Sequence, residues 1–350
     1  MAAPLVSVVV RSMARPTLCA ALGHVGAQTH PAIEVVVVAA CGPAHPPLPP
    51  TAGRHPVRLV ASDVPLSRPA AANAGIDAAR GEWITFLDDD DVIDPSHIAG
   101  LADAGQRGGR RVICSLARQR TADGSVHPWG QPFALTELYV RNFLHLSTVL
   151  FSRAMLDAGC RFDDAFDIMQ DWDFFLQMAQ HTPFHSTGLR TFEWHADAGT
   201  SGAGGAQNNN EQKFARYRDR IYAKWSAQRT ALFARIEPLL AAAGAAIEAR
   251  EWALAEARCE EVLAIARNEP YALDMLAMLL DRRGRTEEAI ATQSLATSVR
   301  PYEPQFVFNL APLVLARGER DRARRLAQHA LTLDPAFAPA LQFIARLGPA

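Results

Sequence analysis

The residues best suited to chemistry are four consecutive carboxylates, Asp88, Asp89, Asp90 and Asp91, which close the apolar run Trp83-Ile84-Thr85-Phe86-Leu87. Adjacent like charges repel, so a folded chain has to compensate them. Hard oxygen donors at this density suit Mg2+ or Mn2+. If the alternation of the preceding strand carries on, Asp88 and Asp90 share one face and Asp89 and Asp91 the other. The alternative reading is a solvated acidic turn with helix caps. In it Asp94 and Pro95 are the N-cap and first residue of a helix beginning near Ser96. A second acidic patch, Gln170-Asp171-Trp172-Asp173, heads an amphipathic segment where an aspartate also serves as a helix cap.

The elements that position these carboxylates follow from periodicity. Residues 5–10 and 33–38 are continuous β-branched runs, the pattern of strands covered on both faces. Residues 57–61 and 83–87 add two more strands, and 112–116, 146–151 and 191–195 are further candidates. Helical segments at 18–27 and 70–80 alternate with them, and Gly81 supplies the stop of the second. Residues 43–56 are proline-rich and irregular, while 121–130 and 198–205 are loops. Such alternation predicts parallel βαβ units in an open α/β sheet, with ligands beyond the carboxyl ends of the strands, where the aspartate run lies.

Residues 208–234 predict a long helix leaving this domain, and from about residue 241 the chain is helical with a 34-residue period. Gly284 and Gly318 are one period apart, as are Ala255, Ala289 and Ala323, Pro270 and Pro304, and Pro301 and Pro335. Small residues let paired helices approach and the glycines mark inter-helix turns, which is a tetratricopeptide-type array of about three repeats. Arg250 stands where the first repeat would carry its glycine. The expected domains are 1–228 and 229–350.

Composition limits the function classes. The 350 residues are 49% hydrophobic and 21% charged, values of a globular protein, and the net charge of −2 leaves no basic footprint for nucleic acid. Lys213 and Lys224 are the only lysines, a bias we attribute to coding composition. Five widely spaced cysteines without a C-x-x-C point to neither a zinc site nor a disulfide framework, so a cytoplasmic location is expected, with peripheral attachment at the inner membrane face left open. Arg11 interrupts the first apolar run, against a secretory leader, and no transmembrane segment is expected.

In order along the chain, Val6-Ser7-Val8-Val9-Val10 with Arg15-Pro16, Gln28-Thr29-His30-Pro31 with residues 34–38, Arg68-Pro69-Ala70-Ala71-Ala72-Asn73-Ala74-Gly75-Ile76 and Ala79-Arg80-Gly81-Glu82 resemble the segments of family 2 glycosyltransferases of the GT-A fold. The resemblance covers about 225 residues and implies an inverting, metal-dependent transfer of sugar from a nucleotide-diphosphate donor to an acceptor hydroxyl. By it, Asp88 and Asp90 match the D-x-D carboxylates that hold Mn2+ or Mg2+ on the diphosphate, and His195 matches a histidine that approaches the metal or phosphate. Arg68, Asn73, Asp88 and Asp89 are implied on the nucleotide side. Asp171 matches the proposed general base, with Gln170 replacing the glutamate that usually precedes it. The acceptor implied is a glycan, a lipid-linked group or a protein, as in surface-polysaccharide biosynthesis, with the repeats recruiting acceptor or partner. The second strand ends in Ala39-Ala40-Cys41-Gly42, without the family's base-binding aspartate, which leaves base selection to backbone groups or Asp63. That departure favours a second reading, a catalytically weak scaffold acting through its repeats.

Overall fold

A computed structural model describes residues 3–107, 109–121, 123–195 and 211–348. Contacts divide the chain into two compact units, one made of Met1–Gly130 with Arg141–Trp225, the other of Gln131–Val140 with Ser226–Ala350. The loop expected at 198–205 and the helix start expected at 208 lie outside the described residues.

The first unit is built on an eight-stranded mixed sheet. Strand Val6–Ser12 sits at its centre, parallel to Ile33–Ala39 on one side and to Trp83–Phe86 on the other. His55–Val60 extends the parallel part beyond Ile33–Ala39. Past Trp83–Phe86 the direction reverses at Val149–Ser152, which is antiparallel both to that strand and to Val112–Cys114. The sheet is thus mixed where alternation alone predicted a parallel one. Val6, Val8, Val9 and Val10 have no exposed surface, as their β-branched run requires of a doubly covered strand. Helix Arg68–Ala78 starts at Ser67, whose Oγ accepts from Ala70 N at 3.2 Å, with Pro69 in the first turn. Gly81 is needed for close approach, because a Cβ there would lie 2.7 Å from Leu5 O and Ser7 N.

A second, four-stranded sheet joins Val92–Ile93, Phe192–His195, Ala117–Arg120 and Val126–Trp129. Its last two strands form a hairpin where a loop was expected at 121–130. Pro128 and the exposed residues around it gave no apolar alternation to reveal it. Asp94 is not the cap of the following helix. That helix is His97–Gly105 with Ser96 at its N-cap, and Asp94 instead pairs with Arg118 at 2.7 Å.

The second unit is a succession of helices: Ser226–Glu248, Trp252–Ile265, Pro270–Arg282, Thr286–Val299, Pro304–Ala316, Arg320–Leu333 and Ala338–Leu347. Ala255, Ala289 and Ala323, the alanines repeated every 34 residues, have no exposed surface, as close helix pairing demands. Gly284 and Gly318 take φ of +75° and +82° at the turns, and Arg250, in the same phase, is forced to +60°. The expected long helix is two, Glu211–Lys224 and Ser226–Glu248, broken at Trp225. An 18-residue window of the second has a mean hydropathy of 1.4, so by length and composition alone this helix, among the described residues, could cross a membrane, where no apolar stretch of that length was expected. It also carries Arg229, Arg235 and Glu237, and buries Ala243 and Ala246.

Candidate active site

Strand register builds the site. Val9 lies opposite Phe86 in the parallel pair. Two residues further along the same register, Arg11 meets Asp88, donating from Nη2 at 2.7 and 2.9 Å and from Nε at 3.1 Å. The chain then turns, with Asp91 N donating to Asp88 O at 3.2 Å. Arg15, a short way beyond the first strand, reaches Asp89 at 2.7 Å and Asp90 at 2.8 Å. Met13 N also donates to Asp89. The end of the first strand therefore supplies the positive charge that the aspartate run requires.

The expected two-faced arrangement appears, although a turn rather than continued strand produces it. Asp88 and Asp90 side chains are 31% and 28% exposed, whereas Asp89 and Asp91 are buried. The electrostatics differ accordingly. Burial pushes the Asp88 carboxyl up, but Arg11, His145 and Arg68 outweigh it and hold the group below the usual carboxylate range. The Asp91 carboxylate, which accepts from Ser147 Oγ at 3.1 Å, is raised well above that range by burial and by Asp88 and Asp90. Asp89 and Asp90 are also raised, chiefly by burial.

Asp171 lies in the first turn of helix Gln170–Ala179, after Met169 in the left-handed conformation at φ 60°. Its Oδ1 accepts from Trp172 N at 2.9 Å and its Oδ2 from Asn142 Nδ2 at 3.1 Å. Burial raises its carboxyl, opposed by these donors and by Arg11. Arg11 senses both Asp88 and Asp171, as does Arg68, at the start of its helix. The second acidic patch is thereby brought to the first. Two residues on, Asp173 accepts from Trp225 Nε1 at 2.8 Å and Lys224 Nζ at 2.9 Å, which ties helix Glu211–Lys224 to the helix bearing Asp171.

Not every expected site residue joins this centre. Asn73 spends both ends of its amide on the Phe162 backbone, at 2.8 and 3.0 Å, and so clips two segments together. His195, at the end of its strand, has Nε2 3.7 Å from Glu193 Oε1. Among the described residues no three His, Cys, Asp or Glu groups are arranged to hold a metal, so Asp88, Asp90 and His195 form no such trio. Two partly exposed carboxylates remain a fitting pair for Mg2+ or Mn2+, because Mg2+ commonly takes one or two carboxylates and completes its shell with phosphates and water.

Sequence reasoning missed Arg11, Asn142, His145 and His45. Arg11 left a signal, a charge ending an otherwise buried strand. His145 left none. Burial holds its imidazole at about 4 beside Asp88, and its ring centroid lies 4.5 Å from that of Phe192 with the planes tilted by 30°. At the end of the second strand, where the family's aspartate is missing, Ala39 and Ala40 are buried. His45 Nε2 there lies 2.9 Å from Ser12 Oγ.

Residues 7–162 match the model of the glycosyl transferase family 2. Over 173 residues the chain is 28% identical to the succinoglycan biosynthesis protein ExoO of Rhizobium meliloti (strain 1021), a match covering 45% of this chain and 50% of that protein. The chain thus spans half the length of that relative. Over 182 residues it is 27% identical to the uncharacterized glycosyltransferase YwdF of Bacillus subtilis (strain 168), covering 50% and 68% respectively. The S. aureus TarS 1-349 crystal structure aligns over 97% of this chain and 88% of that one, at 15% identity and a TM-score of 0.45. Residues 7–162 are therefore similar to family 2 glycosyltransferase domains, and the chain continues beyond them into a succession of helices with a 34-residue period.

Proposed function

We propose that the chain is an inverting glycosyltransferase that moves a sugar from a nucleotide diphosphate to an acceptor hydroxyl, with Asp171 as general base. One observation supports the reading: Arg11, which donates to Asp88 at 2.7 Å, also pulls down the Asp171 carboxyl that burial raises, so the candidate base and the aspartate turn lie within electrostatic reach of one guanidinium. In the step, the acceptor oxygen attacks the anomeric carbon, its proton passes to Asp171, and the bond from that carbon to the diphosphate breaks with its electron pair leaving on the nucleotide. Asn142 orients the receiving carboxylate. The raised carboxyl of Asp171 makes it a better proton acceptor once ionised, so transfer should fall as pH drops through that value.

Asp88 and Asp90 would hold Mg2+ or Mn2+, which when bound neutralises charge on the leaving diphosphate. Arg68 and Arg11 add fixed positive charge beside it. Ala39, Ala40 and His45 lie on the side where the nucleotide base would be read. The five cysteines are all free, which supports a reducing cytoplasm. A glycan acceptor is the first to try, given the polysaccharide role in the name of ExoO.

The test is donor binding and single-turnover transfer with a panel of nucleotide sugars, with and without Mn2+. Asp171→Asn should keep donor affinity and cut transfer about 10²- to 10⁴-fold, the usual worth of a general base. Asp88→Asn should abolish metal-dependent binding. Undiminished transfer by Asp171→Asn would remove it from the role of base.

A further inference from the structure

The helical unit already holds a peptide, and the peptide is its own chain. Gln131–Val140 belongs to that unit although it comes from the middle of the sequence. Glu137, in the short helix Leu135–Leu138, has no exposed surface. It is paired with Arg300, whose Nη2 and Nε donate to Oε1 at 2.5 and 3.0 Å, and Tyr302 donates its hydroxyl to Oε2 at 2.8 Å. Arg300 is itself braced by the Tyr271 hydroxyl at 2.8 Å. One helical turn earlier, Phe133 O accepts from Asn268 Nδ2 at 2.8 Å. Phe133, Ala134, Leu138 and Tyr139 are buried around these polar contacts.

The grip follows the repeat. Asn268 and Tyr302 are 34 residues apart, each directly before a Glu-Pro that opens a helix, at Pro270 and Pro304. Successive repeat junctions thus present equivalent positions to two points of one segment, as such arrays do toward extended ligands. The far end of the segment leads directly to Asn142, two residues past Val140, whose amide holds Asp171, and then to His145 beside Asp88.

We infer that the repeat junctions are a receptor in cis for Gln131–Val140, and that Glu137 is a positioning residue which, through this anchorage, sets Asn142 against Asp171. The inference rests on the reading of Asp171 as the base. A buried carboxylate is a strong anchor because releasing it from its arginine strands a charge. A loop fixed only two residues from the group that orients the base loses little order on each turnover.

The experiment uses the full chain and compares wild type with Asn268→Gly, which keeps the positive φ of 61° open to the backbone, Tyr302→Phe and Arg300→Ala. Amide hydrogen exchange reads the segment 133–146, and steady-state kinetics read kcat and donor KM separately. Exchange at 141–146 should quicken, with kcat falling of the order of 10- to 100-fold and donor KM unchanged. The apparent pKa of the kcat profile should shift as Asn142 is released. The charge-swapped pair Glu137→Arg with Arg300→Glu should recover part of both. Tyr302→Phe, which removes one hydroxyl, guards against a variant that fails to fold. Unchanged protection at 141–146 in all variants overturns the inference even if no sugar is ever transferred. Quickened exchange with kcat unaltered overturns the positioning role. Quickened exchange in the variants with no transfer by the wild-type chain refutes the proposed function instead.

Discussion

The two units use the same charged residue types in opposite ways. In the first, the ion pairs join residues far apart in sequence and shield carboxylates with little exposure, as in Arg11–Asp88 and Arg15–Asp89. In the second, Arg258–Glu261, Arg285–Glu288 and Arg322–Glu319 each lie within one helical turn, and their side chains are broadly exposed. Pairs of the latter kind contribute little, because water screens them and holding two long side chains costs entropy. Pairs of the former kind are costly to break, because the remaining charge stays buried. Arg283–Glu256 and Arg317–Glu287 join residues further apart in the same unit, and Glu137–Arg300 differs from all of these in a carboxylate of zero exposure. It occurs where that unit takes in a segment from elsewhere in the chain.

Breaking the comparison at its strong end gives the largest stability effect. Arg15→Ala leaves Asp89 and Asp90 without their partner and should cost about 3 kcal/mol or more in denaturant unfolding of the first unit. A cost near zero would mean that the aspartates compensate one another by sharing protons.

The second effect is pH-dependent and lies in the helical unit. Glu269 caps helix Pro270–Arg282 through Ala272 N at 2.7 Å, and burial first of all raises its carboxyl to about 7 from 4.5. Between those values the folded chain binds more protons than the unfolded chain, so stability is greatest at low pH and falls as pH rises through about 7. At about 1.4 kcal/mol per unit, the loss over this interval is about 3.5 kcal/mol. Glu269→Gln should flatten the curve between pH 5 and 8, and a slope unchanged in that variant would assign it to another group.

The first unit should respond in the opposite sense. His97, buried between Thr191 Oγ1 and Ser147 O at 2.8 and 3.1 Å, is held at about 4 by burial. Here the unfolded chain binds the extra proton, so stability is fully present above about 6.5 and is lost as pH falls toward 4. His97→Asn should reduce this acid sensitivity, measured by the urea midpoint from pH 7 to 4.5. The smallest effect is expected of Arg285→Ala, whose pair with Glu288 is exposed. No measurable change in unfolding is expected, and a clear loss would show that surface pairs do contribute to the array.

Much of the architecture was legible because it is local. Residues 5–10 and 33–38 are strands because β-branched runs bury both faces, and the helical array shows itself in a 34-residue recurrence of alanine, glycine and proline. The hairpin Ala117–Arg120 with Val126–Trp129 was missed because its second strand is exposed and carries Pro128, so no apolar alternation marks it. Asn73 was read as a nucleotide neighbour because an ordered motif shows which residues recur, not that both ends of the amide bind the Phe162 backbone.

From the sequence alone came the aspartate run, its pairing of Asp88 with Asp90, the acidic head of the helix at Asp171 and the period of the repeats. All of these are patterns along the chain itself, within a turn or strand or at a fixed interval. Tertiary structure decided that arginines from the end of the first strand shield the aspartates, that Asn142 and His145 attend Asp171 and Asp88, and that residues 131–140 join the helical unit. Those pairings span tens to more than a hundred residues and depend on strand register and helix packing, which no local pattern encodes.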